Sequence, residues 1–82
     1  MDERREQTIL GAISSTEPST FKEFLNGLDG DVPSERSEWS EMFADLRNLE
    51  SRGLVEVSRA GSQIDSLQLT ADGVARIKEL RK

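Results

Sequence analysis

Eighty-two residues, 34% hydrophobic and 33% charged, make one small globular domain whose core must be economical. The chain contains no cysteine, histidine or tyrosine, which excludes disulfides and thiolate metal sites and removes the usual nucleophile–base pairs, so neither catalysis nor a bound cofactor is expected. No apolar run approaches the roughly 20 residues of a membrane span and the N-terminus lacks a signal-peptide core, so a cytoplasmic protein is expected.

The net charge of −5 is unevenly spread. Residues 17–50 hold nine acids against Lys22, Arg36 and Arg47, a balance of −6, whereas residues 51–82 hold six bases against four acids, a balance of +2.

The first helix is expected over Asp2 to Ile13, with Ile9, Leu10 and Ile13 as its apolar patch. Ser14 to Pro18 reads as a loop, and a short strand within Ser14 to Thr20 is a candidate third sheet position. Thr20 and Glu23 have the spacing of a capping box for a second helix. Its core stripe is Phe21, Phe24, Leu25 and Leu28, and Asn26-Gly27 and Asp29-Gly30 are read as its end. Asp29 to Arg36 is a long, acidic connection, with an irregular turn expected from Pro33. Asp29 and Asp31 begin like a calcium loop. Pro33, Ser34 and Ser40 then stand at the fifth, sixth and twelfth positions, where an oxygen ligand, glycine and glutamate are needed, so no metal site is expected.

The third helix spans about Ser37 to Arg52. Trp39, Met42, Phe43, Leu46 and Leu49 recur at helical spacing, and Phe43, Leu46 and Leu49 are expected to be buried. Trp39 is either part of that core or an anchor for a partner. The outward face would then carry Glu38, Glu41, Ala44, Asp45 and Asn48. Gly53 suits the left-handed residue that stops a helix. Leu54 to Arg59 and Ile64 to Leu69 alternate as two antiparallel strands joined by a tip over Arg59 to Gln63, with Leu54, Val57, Leu67 and Leu69 facing inward. Thr70 is the expected N-cap of a last helix. Leu69 and Val74 staple that cap, Ile77 is buried, and Arg76, Lys78, Arg81 and Lys82 are basic.

The phrase Leu46-Arg47-Asn48-Leu49-Glu50-Ser51-Arg52-Gly53-Leu54-Val55, closed by Leu69-Thr70-Ala71-Asp72-Gly73, resembles the winged helix-turn-helix superfamily, most closely the MarR- and PadR-like regulators. The resemblance covers roughly residues 7 to 80 and implies a mainly helical domain with a β-hairpin wing. It also implies a DNA-binding transcriptional regulator whose third helix enters the major groove. By that resemblance Ser40, Arg47 and Asn48 are the helix readers and Arg59 is the wing contact. Families of this kind often dimerise through their terminal helices, so a homodimer is a further expectation.

Charge argues the other way. A duplex reader gains affinity by neutralising phosphates, and the acidity falls on the segment that should meet them. Non-specific duplex binding is therefore expected to be weak at physiological salt, and to depend on Arg59 more than on the third helix. The alternative is a non-catalytic protein-interaction module that docks a partner on its acidic helix face.

Overall fold

The computed structural model describes residues 2–81, in the order α1 (Glu3–Gly11), β1 (Ser19–Thr20), α2 (Phe21–Leu28), a 3-10 turn (Asp29–Asp31), α3 (Arg36–Ser51), β2 (Val55–Ala60), β3 (Gln63–Leu69) and α4 (Ala71–Leu80). It is a small domain of helices followed by a β-hairpin, and the arrangement is consistent with a winged helix. The three strands form one antiparallel sheet in the order β1-β3-β2. Ile9, Leu10, Ile13, Phe24, Leu28, Met42, Leu46, Leu49, Leu54, Val55, Leu67, Leu69 and Ile77 form the core between the helices and one face of the sheet. Among the described residues, no helix is long and apolar enough to cross a membrane.

Asp2 caps α1 by accepting from the Arg4 amide at 2.9 Å. The helix ends at Gly11, two residues earlier than its apolar pattern suggests, because the Ala12 and Ile13 amides turn back to Ile9 and Leu10 in a tightened last turn. Ile13 is still buried beyond the helix end. The Ser14 carbonyl then accepts from the Leu69 amide, and Ser19 and Thr20 pair with Leu67 and Ser66, which supplies the third strand. Thr20 closes that strand and opens α2 with a complete capping box. Its hydroxyl accepts from the Glu23 amide at 3.1 Å, and the Glu23 carboxylate accepts from the Thr20 amide at 3.0 Å.

Gly27 does not end α2. The helix continues to Leu28, and Gly27 lets it approach the end of α1, where a Cβ would stand 3.0 Å from the Ala12 carbonyl. The irregular turn comes before Pro33 rather than from it. Asp29, at φ 53°, begins the 3-10 turn that ends at Asp31.

Within α3 the core face is centred on Met42, Leu46 and Leu49. Phe43, expected in the core, is 42% exposed. The stripe from Trp39 to Leu49 is wider than the arc the sheet and α1 cover, so its wing-side members Trp39 and Phe43 emerge at the surface. Phe21, Leu25 and Val57 are likewise only partly buried, while Met42 and Val55 join the core. The helix ends in a Schellman motif: Gly53, at φ 76°, donates to Glu50, and Leu54 donates to Leu49.

The β2–β3 hairpin turns through two residues, Gly61-Ser62, with Gly61 at φ 64°. The register shifts opposite Ser58 and Arg59, which leaves Asp65 as an extra residue on β3. That bulge returns Ile64 to the face already carrying Leu67 and Leu69.

Thr70 joins three elements. Its hydroxyl accepts from the Gly73 amide at 3.0 Å, capping α4, and donates to the Gly53 carbonyl at 2.6 Å. Its amide donates to the Leu54 carbonyl at 3.1 Å. Thr70→Ala removes both side-chain bonds and is expected to lower stability by about 1–2 kcal/mol, read as a lower urea midpoint. An unchanged midpoint would mean that the cap contributes nothing.

Candidate functional site

The three helix positions singled out by the resemblance come together. Ser40, Arg47 and Asn48 are all exposed on one side of α3, with Ser37, Ala44 and Ser51 completing the stripe. This face is less acidic than the sequence suggests. Of the carboxylates expected on it, Asp45 is only 18% exposed and is held by the Arg5 side chain of α1. Glu41 lies on the stripe and leans to the same guanidinium at 3.5 Å. Glu38 turns back to accept from the Ser34 amide at 2.9 Å. Glu41 is thus the one exposed carboxylate on the outward stripe, which carries none from Ala44 onward, and Arg47 makes no ion pair among the described residues. The Ser51 hydroxyl donates to the Asn48 backbone carbonyl at 2.8 Å, and the Asn48 side chain is exposed.

Arg59 lies elsewhere and is engaged. By strand alternation it follows Val55 and Val57, so it emerges on the sheet face turned toward α3. There it forks onto Glu50, Nη1 to Oε2 at 3.0 Å and Nη2 to Oε1 at 2.9 Å. These bonds hold the Glu50 carboxyl below the usual carboxylate range and raise the Arg59 guanidinium further. Sequence reasoning had no signal for this pair, because it depends on the register of β2 against α3.

At the other end of the helix Asp29, Asp31 and Glu35 are exposed around the connection into α3 and make no ion pair among the described residues. The helix is thus polarised. Its N-terminal end is acidic, whereas in its C-terminal half Asp45 and Glu50 are paired with Arg5 and Arg59, which leaves Arg47 as the charge without an ion pair among the described residues. The basic residues Arg76 and Lys78 sit on α4, Arg76 being committed to Glu6 and Glu79; Lys82 lies outside the described residues.

Glu6 itself is 2% exposed and accepts from two arginines. Arg76 donates through Nε at 3.1 Å and Nη2 at 3.0 Å, and Arg52 approaches at 2.8 Å. The Arg76 hydrogen bonds outweigh burial and, with Arg52, hold the Glu6 carboxyl below its ordinary range. This buried knot ties α1, the end of α3 and α4 together, and so sets the platform from which α3 is presented.

Beside the stripe, Phe21, Trp39 and Phe43 form an aromatic patch. Phe43 stacks on Phe21 with centroids 6.0 Å apart, and Trp39 lies 6.4 Å from Phe21 and 6.1 Å from Phe43. Trp39 is half-buried, contributing to the edge of the core while showing part of its ring. A groove of about 440 Å³ opens between this patch, the outer face of α3 and the hairpin.

No protein-family model, curated protein or solved structure matches this chain.

Proposed function

We propose that the chain is a winged helix-turn-helix domain, similar to the MarR- and PadR-like regulators, that contacts duplex DNA through the C-terminal half of α3. The observation that carries this reading is the outward stripe of α3 beyond Glu41, where Ala44, Asn48 and Ser51 carry no charge and Arg47, on the hairpin-side edge, forms no ion pair among the described residues. Arg47 has the donors to reach a guanine edge or a phosphate, and Ser40 and Asn48 can add hydrogen bonds without steric obstruction. The tight Gly61-Ser62 hairpin would lie alongside as the wing. Arg59 contributes less than Arg47 in this reading, because contacting a phosphate requires it to leave Glu50.

Few free cations face the duplex, so affinity is weak at physiological salt and rises as salt is lowered. A salt titration against random duplex DNA tests this. Arg47→Ala is expected to weaken binding and to reduce the salt slope by about one unit, whereas Arg59→Ala weakens it less, by freeing the Glu50 carboxylate beside Arg47. Binding that is indifferent to Arg47, or absent even at low salt, would refute the reading.

A further inference from the structure

We propose that the groove between α3 and the hairpin is a docking slot for an acidic peptide segment that presents one bulky apolar side chain. The proposal goes beyond duplex binding and does not depend on it.

The groove has an apolar floor made by Phe21, Phe43, Leu46 and Ile64, and its rim carries Arg47 and Arg59; no carboxylate lines it. A single exposed apolar residue is ordinary on a small protein. Here Phe43 is open to solvent within a contiguous patch of three aromatic rings that borders a concavity. Aromatic and arginine side chains around a depression are the composition of residues that dominate protein–protein affinity. A duplex offers no large apolar group to fill such a floor, whereas a leucine or phenylalanine on an extended segment does.

Charge selects the rest of the occupant. Arg47 forms no ion pair among the described residues, although Glu50, one turn along α3, lies near enough to feel its charge. Arg59 spends two of its five N–H donors on Glu50, which fixes the guanidinium at the rim with the others free. The chain as a whole is acidic, with a net charge of −5, so an acidic segment gains little from non-specific attraction to the rest of the surface. A partner carboxylate is therefore guided to these two arginines, and its apolar neighbour to the aromatic floor.

The bulge at Asp65 is part of the construction, since it restores Ile64 to the inner face of the hairpin next to the groove. Trp39, the single tryptophan, touches the patch from its far side and reports on occupancy.

The test is selection of a random dodecapeptide display library on the wild-type domain, with counter-selection on Phe43→Ala, followed by Trp39 fluorescence titration of the synthesised winners. The expected winners carry several acids around one aromatic or aliphatic residue and change Trp39 emission saturably. They bind at least about tenfold more weakly to Phe43→Ala and to Arg47→Glu. Arg47→Glu is the safeguard against a folding effect, because Arg47 is exposed and outside the core. Winners that are basic or lack acids, winners that bind both variants as well as the wild type, or no enrichment at all would each overturn the proposal. So would displacement of Trp39 emission by single-stranded oligonucleotides but not by acidic peptides.

Discussion

Replacing Glu6 with glutamine is expected to destabilise the domain by about 3 kcal/mol, the low end of the cost of breaking a buried ion pair. The carboxylate is buried, but Arg52 and Arg76 sit at its rim and can regain water once it is gone, which keeps the cost from being larger. Glutamine retains the shape and one acceptor but turns an NH2 donor toward an arginine donor, so the loss reports the polar exchange rather than packing. The effect depends on pH. The folded-state pKa of Glu6 is depressed, so its contribution is fully present above the ordinary carboxylate pKa of about 4.3 and is lost as pH falls toward the folded value. Urea midpoints of wild type and Glu6→Gln should therefore differ by a constant amount from neutral pH down to about 5 and converge at lower pH. A gap that persisted unchanged into strong acid would show that the carboxylate charge is not what joins the three helices.

Gly73→Ala should also destabilise, against the ordinary preference of helices for alanine. A Cβ on Gly73 would stand 2.1 Å from the Leu54 carbonyl oxygen, an atom that already accepts from the Thr70 amide. Because the obstacle is backbone, α4 must move off the start of β2, at a cost of about 2–3 kcal/mol, typical of forced overpacking. Gly11→Ala is the matched control. Its Cβ would meet only side-chain atoms, at 3.6 Å, and should raise stability by about 0.5–1 kcal/mol. Thermal unfolding of the two variants should move in opposite directions; two shifts of the same sign would contradict this packing.

These sites also show what the linear chain conveys. The phrase around Gly53 and Thr70 was legible because caps and glycine stops are local chemistry. Gly53 donates to Glu50 and Thr70 accepts from Gly73, each three residues away, whereas the Thr70 bonds to Gly53 and Leu54 form only when the hairpin closes. Gly73 belonged to the same recognisable phrase, but the reason for it, contact with Leu54, appears only once the hairpin closes. Glu6 was not legible at all, since it lies 70 residues from Arg76 and looks like any surface glutamate on a polar helix.

The candidate site divides in the same way. Ser40, Arg47 and Asn48 came from the resemblance, and periodicity alone gave an outward face that also included Glu38 and Asp45, which the structure turns toward Ser34 and Arg5. Periodicity misassigned Phe43 to the core, because spacing alone does not say how wide an arc the neighbouring elements cover. Summed charge also exaggerated the acidity of α3. Asp45 and Glu50 are each held by an arginine from another element, Arg5 and Arg59, and no residue count over residues 17–50 includes those partners.

The proposed polarity of α3 is tested most directly by titrating the isotope-labelled domain with a random duplex at low salt and following backbone amide resonances. The account predicts the largest shifts at Ala44 to Arg52 and in the hairpin around Gly61, with little change at Asp29 to Glu38. Shifts concentrated at Asp29 to Glu38, or on α1 and α4 away from Arg47, would contradict it.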